Sequence, residues 1–435
     1  MKLKLENLSK KYSEVKPEDG LYLPNFDRNV FKLRDTFEGL LGVHDVNNSL
    51  LEYQDIHRIV EERDCLQPKN ILHFTIDSLG LNQLIIKNNF FDEYRKNNEI
   101  IELSSLFPTI TSTILPSIHS GLPPERHGIL GHKIFFPEIG ALVNTLIMNV
   151  ANSEFKPKDS LIKSGVNPKS LLWEYRSPAL FESDNYRQFN FLQFDIAMTG
   201  LSHLMIDSHS VIAFKNYIDA LEKVRILLKR KEKVYIHFYI GDVDDISHVY
   251  GPFSNEYQKI SSLLNYILNK FIQSIDPTIA KETLLTMTAD HGQNSLYEDK
   301  KIPFEKEDLK KYGKFMYAPM GKSGRVLHFY VKEDKINILK DLLEEKIGNS
   351  GLILTKNDDL KPLFSTEINY NKLFKRLGNV IVIFKPNYSA DLIRKKKEEV
   401  IEFKMQGTHG SLTKDELIVP LFVDKISNYK RFLSK

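Results

Sequence analysis

The sequence has very little cysteine and no long apolar segment. Cys65 is the only cysteine among 435 residues, so the chain can form neither an intrachain disulfide nor a metal site built from several thiolates. No apolar run reaches the roughly 18 residues of a membrane-spanning helix. The N-terminal stretch MKLKLENLSKKYSEVKPEDG lacks the apolar core of a secretory signal peptide, so we expect a cytoplasmic location.

The chain also lacks a strong excess of charge of either sign. It has 60 basic and 57 acidic residues and a formal net charge of +3. This balance gives no reason to expect a nucleic-acid polymer or a membrane surface as a partner. With 42% hydrophobic and 27% charged residues, the composition is that of an ordinary globular protein that is long enough to bury a large core.

Short apolar runs alternate with segments of helical period along most of the chain. The runs at 71–76, 234–240 and 283–288 have the length and composition of buried strands. Alternation of strands and helices favours a largely parallel sheet with helices on both faces. The sequence therefore predicts an α/β fold with a mostly parallel central sheet.

The same patterns suggest how the chain is divided. We expect residues 1–69 to be an N-terminal extension packed on the core, and residues 70–325 together with 401–435 to form that core. Residues 326–400 are predicted to form a small α+β subdomain inserted in the same domain. Within the core we predict a helix over 211–230 and a loop over 296–325, which is charged and rich in turn residues.

The stretch 107–132, FPTITSTILPSIHSGLPPERHGILGH, combines hydroxyl residues with a predicted short helix. Proline is tolerated in a helix mainly in its first turn, so Pro116 suggests a helix that begins close before it and runs toward His119. Residues 111–113 then lie at a helix N-terminus, where backbone N–H groups and the helix dipole favour an anion. A plain N-capping role for the hydroxyl residues is the alternative.

Carboxylates and imidazoles follow several of the predicted strands. They are Asp77, the pair Asp244 and His248, the pair Asp290 and His291, and His409. Such a ligand set without thiolate suits zinc or manganese. Asp244 and His248 are four residues apart, so one helical turn would direct both at one ion. Taken alone, each pair would equally fit a helix cap or an Asx turn.

Six motifs together resemble those of a known family. They are IDSLG at 76–80, FPTIT at 107–111, SGLPPERHGILG at 120–131, DxxxHxxGP at 244–252, DHG at 290–292 and THGSLTKDELIVPL at 408–421. In these motifs the chain resembles the type I phosphodiesterase/nucleotide pyrophosphatase branch of the alkaline phosphatase superfamily, above all its prokaryotic members. The resemblance implies an alkaline-phosphatase-like fold and two divalent ions, with zinc as the first expectation and manganese as the alternative.

The resemblance also implies roles for single residues. One ion would be held by Asp244, His248 and His409, and the other by Asp77, Thr111, Asp290 and His291. As the fifth residue of FPTIT, Thr111 would be the nucleophile. His132 stands where the eukaryotic-type enzymes carry Asn and the prokaryotic relatives often carry Tyr. We therefore predict that His132 contacts phosphate, with a loop-packing histidine as the alternative.

The function that the resemblance implies is two-metal hydrolysis of a small-molecule phosphoester through a phospho-threonine at Thr111. A nucleotide is among the candidate substrates, although the FPN step of the eukaryotic-type enzymes is missing here, with Ile114 in its place. A phosphomonoesterase or a phosphonate hydrolase using the same site is one alternative. A non-catalytic phosphate-binding relative is another. The motifs contain no information on the oligomeric state.

Overall fold

The computed structural model describes residues 14–16, 20–41, 60–62, 65, 67–86, 89–96, 98, 100–151, 157–176, 186–392 and 404–433. The strands are β1 Glu14–Lys16, β2 Leu21–Tyr22, β3 Asn70–Ile76, β4 Ile101–Ser104, β5 Lys133–Phe136, β6 Ala141–Asn144, β7 Asn149–Val150, β8 Tyr186–Gln193, β9 Val211–Phe214, β10 Lys233–Ile240, β11 Thr283–Thr288, β12 Asn294–Ser295, β13 Lys301–Phe304, β14 Met316–Ser323, β15 Val326–Val331, β16 Gly351–Thr355, β17 Val380–Phe384, β18 Ser389–Leu392, β19 Gly407–Thr408 and β20 Ile418–Lys425.

Helices connect and cover these strands. They are α1 Leu33–Leu40, α2 Leu81–Leu84, α3 Asp92–Arg95, α4 Thr111–Ser120, α5 Pro124–His127, α6 Ser160–Lys163, α7 Ser202–Met205, α8 Tyr217–Leu227, α9 Asp242–Tyr250, α10 Asn255–Ser274, α11 Pro277–Glu282, α12 Lys306–Gly313, α13 Ile336–Ile347, α14 Tyr370–Leu377, α15 Lys414–Leu417 and α16 Ile426–Leu433. Among the described helices, none combines the length and the apolar character that a bilayer span requires.

A seven-stranded sheet in the order β4-β20-β11-β3-β10-β8-β9 forms the centre of the fold. β11, β3, β10, β8 and β9 are mutually parallel, and β20 runs antiparallel to its neighbours β11 and β4. β3 and β11 are buried along their whole length, as expected for strands covered by helices on both faces. The predicted α/β fold with a mostly parallel central sheet is confirmed.

A second seven-stranded sheet, β16-β17-β15-β14-β5-β6-β7, is antiparallel throughout. It joins strands from the predicted subdomain at 326–400 to β5–β7, which follow the 107–132 stretch directly. α13 packs on this sheet through the buried side chains of Leu339 and Leu343. The proposed boundaries at 69, 325 and 400 stay a prediction.

Two local predictions about secondary structure are wrong. The segment 211–230 is not one helix, because its β-branched start pairs with β8 as strand β9, and Asn216 then caps α8 by accepting a hydrogen bond from Asp219 N. The segment 296–325 is not a loop but contains β13, α12 and β14. α12 begins with a capping box between Glu305 and Asp308, a sequence signal of a helix start that its high charge obscured.

The helix of the 107–132 stretch, α4, begins at Thr111, within the predicted region 111–113, but Pro116 lies in its interior rather than in its first turn. Proline there gives up one hydrogen bond of the helix ladder. Ile114, Leu115 and Ile118 of this helix are all buried, so tertiary packing stabilises a turn that local preference disfavours. α4 ends at Gly121, whose φ of 69° is the left-handed conformation that glycine adopts without strain.

Candidate active site

The register of the central sheet brings the predicted strand-end residues to one edge. β10 pairs with β3 up to Ile240 and Ile76, and Asp77 N donates to Ile240 O at 2.9 Å. β11 pairs with β3 up to Thr288, so the loop after β11 lies beside Asp77. This edge holds the carboxyl ends of parallel strands, which is where open α/β sheets place their sites.

The first group at this edge consists of Asp77, Asp290 and His291, whose ligand atoms lie within 4.8 Å of one another. His291 Nε2 is 3.3 Å from Asp290 Oδ2 and 3.5 Å from Asp77 Oδ1. Thr111 adjoins this group, with its Oγ1 3.0 Å from His291 Nε2 and 3.4 Å from Asp77 Oδ2. The hydroxyl of Thr111 therefore faces the ligand atoms. The N-cap position is Ile110, which has no capping side chain.

Both carboxylates of the first group keep one oxygen free of hydrogen bonds. Asp77 Oδ2 accepts from the Tyr239 hydroxyl, and Asp290 Oδ1 accepts from Ser78 N at 3.3 Å and His291 N at 3.0 Å. Asp77 Oδ1 and Asp290 Oδ2 are buried and, when ionised, have no donor among the described residues. Buried carboxylate oxygens without a donor are costly unless a cation binds them. The first group thus fits a divalent ion.

The second group consists of Asp244, His248 and His409, and its ligand atoms also lie within 4.8 Å of one another. Asp244 and His248 occupy one face of α9, with His248 Nε2 3.3 Å from Asp244 Oδ2. His409 Nε2 is 3.7 Å from Asp244 Oδ1. The ring of His409 stacks on that of His291, with centroids 3.8 Å apart, so the two groups are direct neighbours.

All three histidines of the site direct the same ring nitrogen inward. His248 Nδ1 is 2.9 Å from Gly407 O, His291 Nδ1 is 3.0 Å from Gly292 O, and His409 Nδ1 is 2.8 Å from Thr109 O. A carbonyl only accepts, so each Nδ1 must carry the proton and each neutral ring keeps its Nε2 lone pair. This arrangement is typical of histidines that bind metal through Nε2.

Crowding of carboxylates in a buried place shifts their pKa values. Burial, together with the charges of Asp290 and Asp244, raises the pKa of Asp77 well above its ordinary value. Burial raises the pKa of Asp290 to about 6 and lowers the pKa of His291 to about 4. Burial would also lower the pKa of His248, but the Asp244 carboxylate outweighs it and the pKa rises to about 9. Positive charge placed among these carboxylates would relieve their mutual repulsion.

His132 approaches the second group from the loop before β5. The charges of His409 and His248 both act on its pKa, which burial lowers to about 3, so its ring is neutral at physiological pH. Its backbone is fixed, since His132 N donates to Ser323 Oγ at 2.9 Å and Thr145 N donates to His132 O at 2.8 Å. Its Nε2 is buried and has no hydrogen-bond partner in the part of the chain that the structure describes.

A buried ion pair holds the loop that carries His409. Arg325 and Glu416 are fully buried and 2.6 Å apart, and Arg325 N donates to His409 O at 2.9 Å. Glu416 Oε1 accepts from Ser411 N at 3.0 Å. Gly324 adopts a φ of 56°, and a Cβ there would lie 1.8 Å from His409 O, so only glycine fits beside this loop.

Sequence reasoning missed four residues that support the site. They are Tyr239 and Gln293, which donate to Asp77 and Asp244, and the Arg325–Glu416 pair. Gln293 follows the DHG motif directly, and Tyr239 lies near the end of the strand before Asp244. For Tyr239 and Gln293 this adjacency was the only sequence signal, because neither tyrosine nor glutamine suggests a metal site by type.

A sequence model of the family described as type I phosphodiesterase/nucleotide pyrophosphatase matches residues 71–412. The chain belongs to this family. The resemblance inferred from the six motifs is therefore confirmed. Among curated proteins, no match to the sequence was found.

Solved structures with a similar fold include other phosphoester and phosphonate hydrolases. Murine ectonucleotide pyrophosphatase/phosphodiesterase 5 aligns with a TM-score of 0.59 at 16% identity, covering 83% of this chain and 93% of that chain. An inactive threonine-to-alanine variant of the murine protein in complex with AMP aligns with a TM-score of 0.56 at 15% identity, covering 84% and 94%. Phosphonoacetate hydrolase from Sinorhizobium meliloti 1021 in complex with phosphonoformate gives 0.55 at 13% identity, covering 84% and 96%.

Membership of the family shows that the chain is a phosphoester hydrolase of the phosphodiesterase/nucleotide pyrophosphatase kind. The family is metal-dependent, and the two ligand groups are the candidate places for metal in this chain. The similar structures, at identities below 20%, establish only the shared fold. The identity of the metal, the cytoplasmic location and the role of each site residue stay predictions.

Proposed function

We propose that the chain is a two-metal phosphoester hydrolase that acts on small-molecule phosphodiesters or nucleotide pyrophosphates through a phosphorylated Thr111. The observation that carries the proposal is the position of the Thr111 hydroxyl. It lies at the start of a helix, 3.0 Å from His291 Nε2 and 3.4 Å from Asp77 Oδ2. The same group contains Asp77 Oδ1 and Asp290 Oδ2, which are buried and have no donor among the described residues.

Each ligand group would hold one divalent ion. Asp77, Asp290 and His291 together with Thr111 would hold one, and Asp244, His248 and His409 the other. Nitrogen and oxygen donors without thiolate favour zinc, with manganese as the alternative. When bound, the two ions would supply the positive charge that favours the ionised Thr111 hydroxyl and the charge developing on the phosphoryl group.

The protein itself supplies the nucleophile and its orientation. Thr113 N and Ile114 N hydrogen-bond back to Ile110 O, whereas the amides of Thr111 and Ser112 lie at the open end of α4. These amides and the helix dipole would stabilise negative charge on a phosphoryl oxygen. Thr109 fixes the segment that leads into α4, since its Oγ1 donates to Ser411 O at 2.8 Å and accepts from Gly410 N at 3.0 Å.

The proposed reaction has two displacements at phosphorus. In the first, a bond forms between Thr111 Oγ1 and phosphorus while the bond from phosphorus to the leaving alcohol or phosphate breaks. The Thr111 proton passes to solvent, and the leaving oxygen takes a proton if it needs one. In the second, water attacks phosphorus, the Oγ1–P bond breaks, and Thr111 regains its proton.

His132 is the proposed further contact to the phosphoryl group. Its buried Nε2 lacks a partner among the described residues, and its backbone is fixed from both sides by Ser323 and Thr145. Donation to a phosphoryl oxygen requires the tautomer that carries the proton on Nε2. A small substrate is consistent with the nearly balanced charge of the chain, which offers no reason to expect a nucleic-acid polymer.

The second candidate is a phosphonate hydrolase on the same site. It is favoured by the structural similarity to phosphonoacetate hydrolase, which spans 96% of that chain. A phosphomonoesterase would use the same ligand groups, and a non-catalytic phosphate-binding protein would keep them without turnover. These alternatives differ in substrate rather than in the position of Thr111, so a direct comparison of substrates separates them.

The test begins with the zinc-loaded protein. Turnover is measured side by side for bis-p-nitrophenyl phosphate, p-nitrophenyl phosphate, a dinucleotide pyrophosphate and phosphonoacetate, and bound metal is counted. We expect the diester or the pyrophosphate to be the best substrate, two ions per chain, and a covalent adduct on Thr111 detectable by mass spectrometry after an acid quench. With the diester or the pyrophosphate the adduct keeps the ester group that remains on phosphorus, and with the monoester it is a phosphate.

Thr111→Ala is the matched variant. It should bind both ions, have the same Tm as the parent protein and lose several orders of magnitude in turnover, because only the nucleophile is removed. Thr113→Ala, which removes a buried hydroxyl two residues further along α4, is the control and should retain turnover. Near-parental activity of Thr111→Ala would overturn the proposed route, and fewer than two ions with no turnover would favour the non-catalytic alternative.

A further inference from the structure

Two side chains lie outside both ligand groups, and each donates a hydrogen bond to a carboxylate of one group. The Tyr239 hydroxyl donates to Asp77 Oδ2, and Gln293 Nε2 donates to Asp244 Oδ1 at 3.0 Å. We propose that Tyr239 and Gln293 are positioning residues, each of which orients one carboxylate so that its other oxygen faces the cation. This inference rests on the two-metal function proposed above.

Tyr239 lies on β10, and its side chain is buried against the site. By occupying Asp77 Oδ2, it leaves Oδ1 as the oxygen without a donor, 3.5 Å from His291 Nε2. Without the phenol hydroxyl, the Asp77 carboxylate could rotate, because Thr111 Oγ1 at 3.4 Å is a weaker second donor to the same oxygen. Tyr239 therefore selects which oxygen of Asp77 faces the first ion.

Gln293 acts in the same way on the second group. Its own position is fixed, since its backbone O accepts from Gln83 Nε2 at 2.6 Å and its Oε1 packs so closely on Gly407 that a Cβ there would lie 2.5 Å away. Asp244 Oδ1 is thus held by Gln293, and Oδ2 lies 3.3 Å from His248 Nε2. Loss of the Gln293 amide would free this carboxylate but leave Asp77 untouched.

The third carboxylate is supported differently. Asp290 Oδ1 is held by the backbone amides of Ser78 and His291, which no side-chain substitution removes. Leaving Thr111 aside, each ligand group therefore has one replaceable side-chain support among the described residues, and the two supports contact different carboxylates. Removal of such a support typically lowers metal affinity by about 10–100-fold. The two affinities should respond separately.

The experiment measures zinc affinity at one group at a time. His248→Ala removes a ligand of the second group, and Asp290→Asn removes one of the first. Metal-free protein of each background is titrated with zinc against a chromogenic chelator. We expect Tyr239→Phe to weaken zinc binding about 10–100-fold in the His248→Ala background, where only the first group remains. In the Asp290→Asn background the same change should alter affinity by no more than about twofold.

Gln293→Met, which keeps the length of the side chain, should give the reciprocal pattern. Tyr235→Phe is the control for loss of a buried hydroxyl on the same strand, and should leave both affinities unchanged. Equal losses in both backgrounds would indicate a structural role and overturn the inference, as would unchanged affinities. If the parent protein itself binds fewer than two zinc ions, the proposed two-metal function fails as well, which distinguishes the two failures.

Discussion

The buried Arg325–Glu416 pair offers the most direct link between stability and the site. Both side chains are fully buried, and the carboxylate also accepts from Thr413 Oγ1 at 2.6 Å. Glu416→Gln keeps the shape but leaves the Arg325 charge without a counter-charge. Removing one partner of a buried pair typically costs about 3–5 kcal/mol.

This cost converts into a melting shift that can be measured. Unfolding entropy of about 2.1 cal/mol/K per residue amounts to about 0.9 kcal/mol/K for this chain, so Tm should fall by about 3–6 °C. Because Glu416 also holds Ser411, two residues after His409, the second ligand group should lose zinc affinity in the same variant. Calorimetry at one scan rate and the chelator titration measure the two effects.

The exposed pair of Asp219 and Lys223 provides the control. Its side chains are about half exposed, so Asp219→Asn should change stability by less than about 0.5 kcal/mol. The double variant Arg325→Met, Glu416→Leu should recover much of the lost Tm, because two apolar side chains leave no unpaired buried charge. If the Glu416→Gln variant had the same Tm as the parent protein, the expected cost of the unpaired charge would be refuted, since the buried Arg325 guanidinium would then tolerate the loss of its partner.

Three further predictions follow from the same structure. Besides His132, four buried histidines outside the ligand groups have pKa values lowered to about 3 or 4, mainly by burial; they are His73, His119, His127 and His328. As the pH falls, these histidines take up protons in the unfolded chain before they do so in the folded protein. Each should therefore lower the free energy of unfolding by about 1.4 kcal/mol per pH unit below about pH 6.5. A urea midpoint that stays constant down to about pH 5 would contradict this prediction. A chelator should abolish turnover and added zinc should restore it; activity that persists in metal-free protein, checked by metal analysis, would exclude the two-metal route. His132→Ala should weaken phosphate inhibition and raise KM while Tm is unchanged. Kinetics equal to those of the parent protein would indicate that His132 only packs the loop.

Some parts of the site could be predicted from the sequence, and others could not. Asp244 and His248 share a helix face, and Asp290 and His291 are adjacent, so their pairing was visible from spacing alone. Which of the six ligand residues share one group was implied only by the family resemblance. The structure places His409 with Asp244 because β19 lies against α9, where His248 Nδ1 is 2.9 Å from Gly407 O and Gln406 N donates to His248 O at 2.9 Å. β19 also pairs with β12, which follows the DHG motif. That pairing joins segments more than a hundred residues apart, and no local pattern encodes it.

The sequence by itself determined the α/β architecture, the family and the start of α4 within residues 111–113, because these depend on short-range periodicity, composition and motifs. Only the tertiary structure decided that β5–β7 belong to the second sheet, that Pro116 is tolerated inside α4, and that Tyr239 and Gln293 support the carboxylates. The physical reason is the same in each case. Strand pairing, packing and hydrogen bonds to buried carboxylates are made between distant segments, and their free energy outweighs the local preferences that a sequence displays.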